Sequence, residues 1–118
     1  MTGENLNRRY HELCGWTIKK ATSGKGITWF YLVRPDKGLC GNSMPDHLAW
    51  AGLPKLHLDA NLAIAEADRV FLFDGQPRYQ LIMEDGLWYI KAPQQPTGKG
   101  NASLCEAILA ALIKARQQ

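Results

Sequence analysis

The stretch YQLIMEDGLWYIKA, residues 79–92, limits the fold more than any other part of the chain. Asp-Gly adopts the left-handed backbone that a two-residue hairpin turn needs at both central positions, and apolar residues flank it here. With Asp85 and Gly86 in the turn, Glu84 faces Leu87, Met83 faces Trp88, Leu81 faces Ile90 and Tyr79 faces Ala92. Side chains alternate between the two faces of a sheet, so Tyr79, Leu81, Met83, Trp88 and Ile90 share one face, which is expected in the core. The opposite face carries Gln80, Ile82, Glu84, Leu87, Tyr89 and Lys91, a mixed set expected to be partly open.

Apolar spacing places helices around this hairpin. Residues 5–14 put Leu6, Tyr10 and Leu13 on one side, with Asn5 as expected N-cap and Gly15 as the residue just past the end. Residues 58–73 are alanine-rich and carry two candidate stripes: Leu58, Leu62, Ala65, Arg69 and Leu72, and Ile64, Ala67 and Phe71. Asp74-Gly75 is expected to end that helix. In residues 104–116, Leu104, Ile108, Ala111, Leu112 and Ala115 form the expected buried stripe. Ser103 and Glu106 match the S-x-x-E capping box, and Lys114 and Arg116 suit the negative end of the dipole.

Residues 16–20 and 27–33 read as strands joined by the turn TSGKG, residues 22–26; ITWFYLV is rich in β-branched and aromatic side chains. Between 34 and 57 the chain is punctuated by proline and glycine and reads as a long irregular loop, with Met44, Trp50 and Leu53 expected to anchor it to the core. The element order is α-β-β-α-β-β-α. It implies one α+β domain over residues 1–118, with a four-stranded, mostly antiparallel sheet and three helices.

Composition narrows the function classes. With 118 residues, 46% apolar and 21% charged, the chain suits one soluble globular domain. The net charge of +3 and a pI near 8.8 favour an acidic partner without the one-sided clustering of a nucleic-acid binder. The polar first residues and the lack of a long apolar run are expected of a cytoplasmic protein with no leader and no membrane span. Cys14, Cys40 and Cys105 are odd in number and show no CxxC spacing, as expected in a reducing compartment.

No catalytic motif stands out, and no catalytic residue, cofactor or metal site is expected. His57 and Asp59 lack the further ligands of a metal site and are expected to mark a helix start, with Asp59 in the first turn or as its cap. TSGKG and TGKGN, the latter at 97–101, lack P-loop spacing; a flexible turn is the expected role of each. The second precedes a helix, so backbone N–H groups there and Lys99 offer a place for an anion. A thiol at a helix start is activated in some proteins, but Cys105 has no sequence-adjacent base. Arg34, His47, Trp50 and Tyr89 are candidates for a recognition surface, since aromatic and arginine side chains anchor interfaces.

The second half of the chain resembles the phage ABA sandwich domain family of small phage and prophage proteins. The likeness rests on Pro54, Asp59 and Ala63 in LPKLHLDANLAIAEA, on YQLIMEDGLWYIKA with Trp88, and on SLCEAILAAL with Ser103, Ala107, Ile108 and Ala111; CGW at 14–16 looks like the family's amino-terminal GW. Before Asp59 the chain reads Leu56, His57, Leu58, where the family often has Tyr-Ser-Thr. The resemblance implies an α/β/α sandwich encoded by a phage or prophage, and brings no catalytic residues with it.

The expected function is therefore a small non-enzymatic binding protein in the bacterial host cytoplasm. It would act as a counter-defence inhibitor of a host or phage protein, or by sequestering a small anionic ligand. Arg34, His47, Trp50, Tyr89 and Lys99 are its candidate binding residues. The alternative is a nucleic-acid-binding accessory protein, which requires Lys20, Lys25, Arg34, Lys91 and Lys99 to share a face.

Overall fold

A computed structural model of the chain describes residues 2–93 and 95–117. The class is α+β, as expected, with four helices and small antiparallel sheets among the described residues. The chain divides into two compact units, Met1–Tyr10 with Lys55–Gln118, and His11–Pro54.

Helix α1, Gly3–Leu13, begins earlier than its spacing predicts. Its cap is Thr2, not Asn5: the Thr2 hydroxyl accepts the Asn5 N–H at 3.2 Å, and the Thr2 carbonyl accepts that of Leu6 at 2.9 Å. Gly15 closes the other end as expected, at a φ of 104° that a β-carbon would resist.

In the His11–Pro54 unit, β1 (Thr17–Thr22), β2 (Thr28–Val33) and β3 (Leu39–Ser43) form one antiparallel sheet in that order. Strand β3 and the short helix α2, Asp46–Trp50, lie where an irregular loop was expected. Both are only five residues long, too short to impose a period on the sequence. Tyr31 pairs with Asn42 and Leu32 with Cys40, which leaves Gly41 as the extra residue of a bulge, at a φ of 63°. Helix α2 packs on this sheet and buries Ala49. Leu32, Val33 and Leu53 are also buried, whereas Met44, expected in the core, is exposed.

In the other unit, α3 (Ala60–Val70), β4 (Leu72–Phe73), β5 (Gln76–Pro77), β6 (Gln80–Glu84), β7 (Leu87–Lys91) and α4 (Leu104–Gln117) follow one another. Asp59 is the cap of α3: its carboxylate accepts the N–H of Asn61 at 3.0 Å and of Leu62 at 3.2 Å. The helix ends at Val70, short of the expected 73, because Asp74-Gly75 is the turn of a second small hairpin, β4–β5, and not a helix stop. Of the first candidate stripe, Leu58, Leu62 and Leu72 are exposed; of the second, Ala67 and Phe71 are buried and Ile64 half-buried, and Ala63, in neither stripe, is buried with them. Small alanines let α3 and α4 approach closely, which a leucine-bearing face could not do.

The β6–β7 register is the one the Asp85-Gly86 turn requires: Leu81 opposite Ile90, Met83 opposite Trp88, Glu84 opposite Leu87. Only Ile90 of the expected core face is fully buried; Leu81 and Trp88 are half-buried, and Met83 lies exposed near the turn. This hairpin is a two-stranded sheet and β1–β2–β3 a separate three-stranded one, so among the described residues the strand pairing does not join the two expected hairpins in one four-stranded sheet. Helix α4 packs against both α3 and β7 and buries Cys105, Ala107, Ile108, Leu109, Ala111, Leu112 and Ile113. Ser103 accepts the Glu106 N–H at 3.3 Å, half of the expected capping box. The reciprocal bond goes elsewhere, since the Ser103 N–H is donated to Asn101 Oδ1 at 2.9 Å.

Candidate functional site

Residues 100 and 101, between β7 and α4, are held against the strand. Asn101 pairs with Trp88 on β7 as an isolated antiparallel bridge, with N···O distances of 2.7 and 2.9 Å. One residue earlier, Gly100 passes so close to the strand that a β-carbon there would sit 2.6 Å from Tyr89 Cζ and 2.8 Å from Leu87 Cβ. TGKGN is thus docked on β7 by its second glycine and its asparagine, in place of the flexible turn expected from composition.

This docking opens a cleft of about 490 Å³ between the loop and the flank of α4. The helix contributes Ala107, Ala110, Ala111 and Lys114, the i, i+3, i+4, i+7 pattern of one helical face. Strand β7 contributes Ile90, and the loop contributes Gln95, Pro96, Gly98, Lys99, Gly100 and Asn101. The wall is apolar and the two cations stand at the rim: Ile90, Ala107 and Ala111 are buried, Lys99 and Lys114 exposed. No carboxylate lines the cleft among the described residues, and neither lysine has an ion-pair partner there. A β-carbon on Gly98 would lie 2.5 Å from Lys114 Nζ, so the absence of a side chain at Gly98 lets this ammonium lie over the loop backbone.

Lys99, a candidate from the sequence, therefore has a place in a cleft. The cleft that holds Lys99 lies along the side of α4 and not at its N-terminus, where Asn101 accepts the Ser103 N–H and Ser103 accepts the Glu106 N–H. Lys114 was missed because its place near the end of a helix gave it a dipole role. The signal was its spacing of seven from Ala107. Tyr89 is not in the cleft wall; its ring supports Gly100 from below.

The remaining candidates lie in the His11–Pro54 unit. Arg34 folds back on its own turn: its backbone N–H bonds the Gly38 carbonyl at 2.9 Å, its Nε lies 3.5 Å from Asp36, and its guanidinium fills the space a Gly38 side chain would need. His47 is exposed on α2 and Trp50, at the end of that helix, is half-buried. Of the residues required for nucleic-acid binding, Lys20, Lys25 and Arg34 belong to this unit and Lys91 and Lys99 to the other.

A second cleft, of about 440 Å³, is lined by Pro77, Arg78, Tyr79, Gln80, Lys91, Ala92 and Pro93. Its hydroxyl is taken: Tyr79 donates to Asp68 Oδ1 at 2.6 Å, and burial, together with that carboxylate, pushes the phenol up to about 12. An anion entering there meets the Asp68 charge beside the tyrosine.

Cys105 is buried, and burial, reinforced by the Asp59 carboxylate, raises its thiol above the ordinary range, the opposite of an activated nucleophile. Among the described residues, no three His, Cys, Asp or Glu side chains converge in a way that could hold a metal ion, and no helix is long and apolar enough to cross a membrane. Comparison with family models, with curated proteins and with solved structures gave no match.

Proposed function

We propose that the protein is a non-enzymatic binding protein that takes a small anionic ligand in the cleft between residues 95–101 and α4. The observation that carries this reading is the pairing of Lys99 with Lys114 around an apolar wall with no carboxylate among its described lining residues. Cations brought to one cleft without a counter-charge repel each other, and an anion between them relieves that repulsion most where low-dielectric walls limit screening. A few polar groups set around an apolar concavity are also the usual form of a small-ligand site.

A protein that binds without turnover acts by sequestration. The resemblance of the second half to the phage ABA sandwich family, with its α/β/α arrangement, supports a phage or prophage setting in a bacterial cytoplasm. There, removal of a small anion would serve counter-defence.

The test is thermal unfolding of the full chain in phosphate or pyrophosphate against chloride at matched ionic strength. A ligand present at 100 times its dissociation constant adds about 2.7 kcal/mol of stability, enough to move the midpoint by several degrees. The stabilisation should vanish in the Lys99→Ala, Lys114→Ala double variant. Equal midpoints in phosphate and chloride for the natural sequence would overturn the assignment.

A further inference from the structure

We infer that the ligand of this cleft is a phosphate monoester with a flat, apolar body, its phosphate held between Lys99 and Lys114 and its body laid on the alanine wall of α4. The inference rests on the anion-binding reading above and specifies its chemistry.

The donor set selects the head group. Besides the two ammonium groups, the backbone N–H groups of Gly98, Lys99 and Gly100, residues that line the cleft, have no acceptor among the described residues. All of these are donors. A dianionic phosphate presents three oxygens to such a set and meets more of them than a carboxylate does; lysine is a common phosphate partner as a point charge. Asn101 adds to the same polarity: its Oδ1 accepts the Ser103 N–H, which leaves its amide N–H₂ as the free end.

The wall selects the body. Ala107, Ala110 and Ala111 succeed one another on one helical face, with Ile90 beside them. Side chains this short leave a smooth surface, suited to the face of a ring and offering it no hydrogen bond. The cleft volume of about 490 Å³ exceeds what a bare phosphate fills and lies in the range of sites for small organic ligands. Ala110 is half-buried, so a longer side chain there would occupy the space above the wall without entering the core.

The experiment is titration calorimetry of the full chain with AMP, phenyl phosphate, inorganic phosphate and adenosine. Both esters should bind about ten-fold or more tighter than inorganic phosphate, a gain of about 1.4 kcal/mol from burial of the ring. Adenosine should bind more weakly than AMP. Ala110→Leu should remove most of the ester advantage over inorganic phosphate, and Lys99→Ala, at an exposed position, should weaken every phosphate ligand. AMP exceeding phenyl phosphate identifies a nucleoside as the body, and equal affinities identify any flat ring. Esters no tighter than inorganic phosphate, with phosphate still dependent on Lys99, would overturn this inference and leave the anion cleft standing. No phosphate ligand bound at all would overturn both.

Discussion

Asn101 and Trp88 exchange both of their backbone hydrogen bonds, and so bind the glycine-lysine loop to the outer edge of the β6–β7 hairpin. Gly100 makes that approach possible, because any side chain would run into Tyr89 and Leu87. Gly100→Ala should cost about 1–3 kcal/mol, the usual penalty for overpacking. It should also lower ligand affinity, because the loop that presents Lys99 is displaced. Gly24→Ala, in a turn with nothing within 4 Å, is the control and should stay within about 0.5 kcal/mol of the natural chain in the same urea titrations.

Asp59 is a helix cap, and its neighbour His57 takes no part in the capping bonds. Asp59→Ala leaves the N–H groups of Asn61 and Leu62 without their acceptor and should cost about 1 kcal/mol. Asp59→Asn keeps an oxygen in the same place and should cost a few tenths. A result in which both variants lose equal stability would mean that charge matters here, and not the capping bond.

Legibility in the sequence followed the chemistry of each segment. Two Asp-Gly pairs occur, and both adopt the same turn: φ is 54° and 76° at Asp74 and Gly75, 53° and 76° at Asp85 and Gly86. The second was readable because alternating strands flank it. The first was hidden because α3 runs almost into it, and its hairpin has only two residues on each side. Helix periodicity located α3 but could not choose its buried face, since leucines and alanines formed rival stripes and close packing against α4 favoured the smaller side chains. Strand β3 and α2 were too short and too glycine-punctuated to be seen. For the cleft, Lys99 was visible from composition. Lys114 was not, because it shares a cleft with Lys99 only once Asn101 has turned the loop back along β7.

Tyr79 gives the stability a definite alkaline limit. An unfolded tyrosine loses its proton near 10, whereas in the folded chain burial and the bond to Asp68 hold the phenol to about 12. Below pH 10 both states are protonated and the contribution of this group is complete. Between 10 and 12 the unfolded state gives up its proton first, and stability falls. The difference in unfolding free energy between the natural chain and Tyr79→Phe should therefore be constant below pH 10 and shrink above it. In an absorbance titration a tyrosine step near pH 12 should be present, and Tyr79→Phe should abolish it.

Cys105 should report on the opening of α4. The thiolate is the reactive form, and burial and the Asp59 charge suppress it at Cys105, whereas Cys14 and Cys40 are half-buried. At neutral pH an excess of a thiol reagent should modify Cys14 and Cys40 first and leave Cys105 intact by peptide mass mapping. Cys105 becomes reactive only when α4 leaves its packing, so its labelling rate should fall as ligand is added, in proportion to the stabilisation that binding provides. Cys105→Ser should lose more stability than Cys105→Ala, because a hydroxyl buried without a partner costs about 1–3 kcal/mol. Equal labelling of all three cysteines in the native protein would place Cys105 at an accessible surface and would remove the protected core of α4 that the cleft wall depends on.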